Sequence, residues 1–312
     1  MTLPRALEGR LRLPAIAAPM FLVSGPDLVV EACRSGIIGT FPALNRRTTA
    51  GLAEWIDEIQ ARLKAFESAA PYGVNLIVHR SNARLMADLE EVVRHTVPLV
   101  ITSLGAVNEI VQAVHSYGGL VFHDVINRRH AEKAAAAGVD GLIAVCAGAG
   151  GHAGAMSPFA LLEEIRSFFS GTVVLAGAIT TGRHIFAARM MGADLAYLGT
   201  RFIATREAMA CDAYKEMIVS SNAADIIYTA SISGVHANFM RPSIVAAGLD
   251  PNELLAHDEM DPQNKGKAWK DVWSAGQGVG SIHEIRPVAD VCEALAEEYA
   301  ACVELCANRA SG

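Results

Sequence analysis

The run AGAGGHAG, residues 147–154, holds one group that can move a proton, His152. No other side chain in it exceeds a methyl, so a ligand can approach the backbone with the imidazole as its only reactive tip. Imidazole, with a reference pKa of about 6.5, can hold an anion or remove a proton near neutrality. A loop histidine that merely caps a helix is the plainer alternative. Two other stretches carry a different chemistry. GAITTG, residues 177–182, and GTRF, residues 199–202, put Gly177, Ala178, Gly199 and Thr200 where backbone N–H groups can face an anion. GAITTG also opens a helical pattern at Arg183, which adds the positive end of a helix dipole. Tight strand-to-helix turns would use the same glycines; the two loops together read as a phosphate cradle. No P-loop lysine motif accompanies them, so a phosphorylated cofactor fits better than a nucleoside triphosphate.

Each of these stretches follows a short apolar run. Eight such runs, 15–18, 37–40, 72–76, 99–102, 120–123, 141–145, 173–176 and 195–198, are too uniformly apolar for a half-exposed sheet and suit a buried parallel one. Alanine-rich amphipathic segments such as 50–65, 107–116, 129–137 and 183–191 lie between them. Gly118, Gly138 and Gly192 follow helical patterns as C-terminal signals. Eight strand–helix units predict an α/β fold, a (β/α)8 TIM barrel. A doubly wound sheet is the competitor, but its early G-x-G-x-x-G fingerprint is missing.

In such a barrel the site lies where the strands end, with a phosphate at the last two loops. AAPMF, residues 17–21, would then lay Ala18 and Met20 against a flat ring. Asn75, ending the third strand, can both donate and accept at a pyrimidine-like edge. His123 and Asp124 end the fifth. That combination suits flavin mononucleotide (FMN), although Met20 alone reads as a core methionine and Asn75 alone as a turn residue. The alternation stops after Arg206. Residues 208–270 read as an inserted smaller, mainly helical subdomain or lid, leaving an FMN-binding barrel of 1–207 and 271–312. Within VHANFMRPS, residues 235–243, His236, Asn238 and Arg241 are the polar groups best suited to select a substrate. A final helix is expected over 287–306.

Composition narrows the function classes. The chain has 312 residues, 52% of them hydrophobic, enough for a large core, and its net charge of −7 comes with no basic block. Nucleic acid is therefore disfavoured as a partner. No apolar run reaches a membrane span, and MTLPRALEGRLRLP lacks the apolar core of a signal peptide. The six cysteines form no CxxC pair, so no metal site is expected and a cytoplasmic location is the default. The expected partners are a small-molecule substrate and O2, and a homodimer is compatible with this reading.

The pieces AAPM, GVNL, AGVDGLIAVCAGAGGHAG, LAGAITTGRHIFAARMMGADLAYLGTRFIAT and WSAGQGVG run in order through residues 17–280. Together they resemble the nitronate monooxygenase family, formerly called 2-nitropropane dioxygenases. GGHAG and GADLAYLGTRF are the specific pieces. The resemblance implies an FMN-dependent barrel with a smaller helical domain. It implies that Ala18, Met20, Asn75, His123, Gly150, Gly151, Gly177, Ala178, Gly199 and Thr200 line the cofactor and that Gln277 lies near it. His152 would be the catalytic base or a substrate anchor, in the oxidation of alkyl nitronates or nitroalkanes by O2. One position departs: Asp124 stands where family members carry a basic residue, and a carboxylate there disfavours an anionic substrate. Similar loops also serve flavin-dependent NAD(P)H:quinone and enoyl-thioester reductases. A barrel that binds flavin or a phosphorylated ligand without turnover is the non-enzymatic alternative.

Overall fold

The computed structural model describes residues 3–105, 107–256 and 270–310. Eight strands, β1 (Ala15–Ala17), β2 (Ile38–Pro42), β3 (Tyr72–Ile77), β4 (Leu99–Ser103), β5 (Leu120–Val125), β6 (Gly141–Val145), β8 (Thr172–Ala176) and β9 (Leu195–Leu198), form a closed barrel in that order. All pair in parallel, and β9 closes the ring on β1. A two-residue strand, β7 (Gly151–His152), lies outside the ring in the loop after β6. Each strand expected from the sequence is present within two residues of its expected bounds.

The strands read as continuous apolar runs because both faces are covered. Along β4, β5 and β9, Leu99, Ile101, Leu120, Phe122 and Leu195 join Ile16, Ile143 and Val174 in filling the lumen. The alternate residues Val100, Val121 and Ala196 belong to the outer core, under the helices. The two-residue period, carried to the strand ends, puts Ser103, Asp124 and Tyr197 on the uppermost rung of the lumen. Gly118, Gly138 and Gly192 do end helices, with φ of 84°, 84° and 96° that L side chains seldom adopt.

The helix after β9 is displaced along the chain to Val288–Ala310, which packs on Gly182–Met190 and Pro26–Arg34 and completes the outer ring. A Cβ on Gly182 would lie 2.1 Å from the Leu295 carbonyl oxygen, so these helices meet backbone to backbone. Before that helix, among the described residues, come the short helices Thr200–Ile203, Asp212–Ser220, Arg241–Ala246 and Pro251–Ala256, with two strands the sequence pattern did not announce, β10 (Ile226–Thr229) and β11 (Ala237–Met240). β10 pairs antiparallel with β11, and β11 with β7. This segment has its own apolar cluster, including Ile227, Phe239, Ile244 and Val272. The polar part of the expected lid, 257–269, lies outside the described residues. Among the described residues no helix is long and apolar enough to cross a membrane.

Away from the loops the barrel is pinned by a buried carboxylate. Asp194 Oδ2 accepts from Arg166 Nη2 at 2.5 Å and from the Val173 N–H at 2.9 Å, while Arg166 also donates to the carbonyls of Gly192 and Gly171. One arginine thus ties a helix to the starts of β8 and β9. Asp194→Ala leaves that cation beside buried backbone without its counter-charge. The expected cost is about 3 kcal/mol, the low end for breaking a buried pair because Arg166 reaches solvent. A urea titration should show a lower midpoint at unchanged slope.

Candidate active site

A cavity of about 1290 Å³ opens over the C-terminal ends of the barrel strands. Ala18, Met20, Asn75 and His123 line it, as do Gly150, Gly151 and His152 from the loop after β6. Gly177 and Ala178 after β8, Gly199 and Thr200 after β9, and His236 from the segment after β9 complete the expected set along its walls. Three expected residues do not line it. Gln277 is solvent-exposed and uses its N–H on the Gly148 carbonyl. Asn238 is buried and donates to the Ala149 carbonyl at 2.6 Å, because pairing of β11 with β7 turns it under the His152 loop. Arg241 opens the helix behind β11 and is absent from the cavity wall. Of the three polar residues expected to face substrate, only His236 lines the cavity.

His152 owes its position to that short sheet. It pairs with Ala237, and the Gly151 N–H donates to Ser274 Oγ at 2.7 Å. Ser274 in turn donates to the Asn238 carbonyl at 2.5 Å, stapling β7 to β11. On the far side the Ala153 carbonyl accepts from the Tyr228 hydroxyl, and Tyr228 stacks on His236 with ring centroids 5.0 Å apart. The imidazole of His152 is reachable through the open cavity, yet the walls withhold enough water to lower its pKa below the ordinary 6.5. At neutral pH it is the uncharged, proton-accepting form that faces the cavity. His123 differs. It is buried, bonds Thr102 Oγ1 at 2.8 Å, and desolvation with the nearby His130 brings it down to about 4.

The glycines divide by what they do. A Cβ on Gly150 would meet the Gly276 nitrogen at 2.9 Å, and Gly177 has φ of 140°, so the fold itself needs both. Gly199 has φ of −99°, and a Cβ there would meet nothing nearer than Ala18 and Met20 at 3.7 Å. Protein packing does not demand glycine at that point; the space it leaves belongs to the cavity.

The floor is polar. Asn75 donates to the Ile101 carbonyl and to Ser103 Oγ, and Ser103 donates to Asp124 Oδ2 at 2.5 Å. Asp124 Oδ1 and the Tyr197 hydroxyl are buried and have no hydrogen-bond partner among the described residues. Burial pushes the Asp124 carboxyl up to about 6 against the opposing Ser103 bond, and the Tyr197 phenol well above its ordinary value, with Asp124 contributing. Among the described residues no cluster of His, Cys, Asp and Glu could hold a metal. Sequence reasoning missed Ser103, Tyr197 and Ser274. For the first two a signal existed, since inward-facing positions two residues beyond lumen residues of a barrel strand reach the floor.

Residues 81–298 match the family model described as nitronate monooxygenase. A curated nitronate monooxygenase from Paraburkholderia phytofirmans is 28% identical over 285 residues, with 76% of each chain covered. A hydroxy-methyl-oxo-octahydroindene-carboxyl-CoA dehydrogenase from Rhodococcus jostii is 25% identical over 234 residues, 74% of this chain and 64% of that one. Among solved structures, the nitroalkane oxidase of Streptomyces ansochromogenes is similar with a TM-score of 0.82 at 24% identity, covering 96% of this chain and 99% of that one. The chain spans 60–64% of the length of the first curated relatives it matches.

The Ser274 staple can be tested directly. Ser274→Ala deprives the Gly151 N–H and the Asn238 carbonyl of their shared hydroxyl, a loss of about 1–3 kcal/mol if they stay unsatisfied. Hydrogen exchange should quicken roughly tenfold or more at the amides of Gly151 and His152, while the barrel strands keep their protection.

Proposed function

We propose, from the premise that this chain belongs to the nitronate monooxygenase family, that it is an FMN-dependent oxidoreductase that oxidises alkyl nitronates and nitroalkanes with O2, and that His152 is the base that takes the proton from a neutral nitroalkane. The family is one of flavoproteins. The observation that carries the reading is the meeting of two unlike features in one cavity: glycine-walled loops after β8 and β9, and an uncharged imidazole on the neighbouring loop after β6. The residues fit a flavin phosphate, since Gly199 keeps open a corner that protein packing would let a side chain fill. Gly177, Ala178, Gly199 and Thr200 would hold the phosphate, with Met20 and Asn75 against the ring. When bound, the flavin supplies an electron acceptor for the substrate and a donor for O2.

The chain's own residues then have defined tasks. Asn75 spends both amide protons on Ile101 and Ser103, so only its carbonyl oxygen remains for a ligand N–H. His152 is unprotonated at neutral pH and can take the proton from the carbon beside a nitro group; a preformed nitronate needs no such step. His236 and Tyr228 narrow the approach from solvent.

A second reading is favoured by one observation. The floor carboxyl of Asp124 opposes an anionic substrate, and a neutral thioester or quinone reduced at the expense of NAD(P)H would avoid that conflict. The Rhodococcus relative is named for action on a CoA thioester. Anaerobic mixing with NAD(P)H and, separately, with propionate 3-nitronate distinguishes the two: bleaching of the flavin band by the nucleotide alone selects the reductase.

Two variants test the primary reading. Gly199→Val should fold normally and purify without colour; retention of stoichiometric flavin would remove the cradle assignment. His152→Asn should keep flavin and lose about 10²-fold or more in turnover of a neutral nitroalkane, with a smaller loss on the nitronate. Equal losses on both would make His152 a binding group. In the parent protein, kcat/KM for the neutral substrate should be full above pH 6.5 and fall as acid protonates the imidazole, because the active form is the uncharged one and its pKa is lowered.

A further inference from the structure

We propose that Asp124 is a proton-holding group of the cavity floor, which takes one proton onto Oδ1 when the flavin is reduced and so offsets the negative charge of the reduced ring. The inference rests on the FMN reading above and concerns a residue to which the family resemblance gives no such task.

The directions of three hydrogen bonds select the oxygen. The Ile101 carbonyl can only accept, so the Asn75 group 3.2 Å from it is the amide nitrogen. That nitrogen's second proton goes to Ser103 Oγ at 2.9 Å. Ser103, having accepted there, gives its single proton to Asp124 Oδ2 at 2.5 Å. Oδ2 is thus an acceptor whether or not Asp124 is ionised, and any proton Asp124 takes up goes to Oδ1. Oδ1 is buried and has no partner among the described residues. A carboxylate oxygen in that state is costly, and protonation relieves the cost. The same chain brings Asp124 within two hydrogen bonds of Asn75, the residue assigned to the ring's pyrimidine edge, where negative charge collects on reduction.

The surroundings leave this task to Asp124. Tyr197, across the floor on β9, is held as a neutral phenol. His123, next in sequence, points to the other face of β5, and at about 4 it is neutral above pH 5. His152 is lowered below 6.5 and sits on the wall loop. His130 and His236 are exposed at the cavity's outer parts. Lys133, the one lysine or arginine among the described lining residues, stands on the exposed helix Arg128–Ala136. Asp124 itself, at about 6, is ionised at pH 7 when the flavin is oxidised. A new negative charge nearby favours its neutral form and raises that value.

The balance is simple. Oxidised flavin takes two electrons and one proton to give a reduced ring with one negative charge, and the Asp124 carboxylate takes a second proton to give the acid. In the test the electrons come from dithionite.

The experiment is a set of midpoint potentials of the bound flavin at pH 6.5–8, for the parent protein, Asp124→Asn and Ser103→Ala. A tenfold change in a two-electron equilibrium is about 30 mV, so each proton taken up adds about 30 mV per pH unit to the slope. The parent should show about 60 mV per pH unit and Asp124→Asn about 30. Ser103→Ala removes the bond that favours the ionised carboxyl, so the steeper slope should begin at a higher pH. The slopes are read from protein that retains flavin, which also reports folding of each variant. A slope of about 30 mV per pH unit in the parent, or equal slopes in the parent and Asp124→Asn, overturns the proposal while the FMN reading stands. A parent protein that binds no flavin overturns both.

Discussion

Three loops meet around the carbonyl oxygen of Gly148 with no side chain between them. It accepts from the Gln277 N–H at 2.9 Å and the Ala178 N–H at 3.3 Å. A Cβ on Gly276 would stand 2.5 Å from that oxygen, closer than real Cβ contacts come. The Gly276 N–H donates to Thr200 Oγ1 at 2.8 Å, which draws in the loop after β9 as well. The heights of the His152 loop, the two loops of the cradle and the chain returning toward the last helix are all set at this one backbone junction. Much of the glycine in AGAGGHAG and WSAGQGVG therefore answers to the other run. The two motifs are halves of a contact, and the ligand space is what remains once they have closed on each other. Gly199, whose neighbours would tolerate a Cβ, is the exception that marks where the ligand space begins.

That distinction explains what the sequence could and could not reveal. The eight barrel strands were legible because burial on both faces leaves unbroken apolar runs between helix-ending glycines such as Gly138 and Gly192. Their ends then located most of the cavity wall. The small sheet was not legible. β7 is two residues long, too short for any periodicity, and its partner β11 lies more than eighty residues away. Without it, Asn238 and Arg241 looked like polar groups over a site, when one supports the loop from below and the other starts a helix behind it. Ser274 was hidden for the same reason: only the folded backbone shows that a serine beside a tryptophan reaches two strands at once.

The electrostatics of the cavity follow from its depth. Desolvation dominates each resolved shift of its histidines and of Asp124, and it acts in one direction, toward the uncharged form. His123 and His152 are held toward the uncharged form, and the Asp124 carboxyl approaches neutrality. The floor network softens this only at Asp124, where one serine hydroxyl favours the ionised form. Tyr197 adds a buried phenol with no hydrogen-bond partner among the described residues. Buried polar atoms left unpaired cost stability, of the order of 1–3 kcal/mol each. Two such atoms stand on one rung of a barrel otherwise packed with Ile, Leu, Val and Phe.

The position of His152 depends on the small sheet. Pairing of two residues cannot sustain a strand by itself, so β7 exists because β11 is already held by β10 and by the apolar cluster of Ile227, Phe239 and Ile244. His152 is thus placed by a part of the chain whose core is separate from the barrel's. Gly177 and Gly199 follow directly from barrel strands and inherit their positions from the barrel. The His152 loop and the loops after β8 and β9 therefore draw on different cores, and the Gly148 junction ties the loop after β6 to the other two. A change that loosens the segment between β9 and the last helix is expected to move His152 more than the loops after β8 and β9, whereas a change at Gly276 strains the Gly148 carbonyl and, through Thr200, the loop after β9.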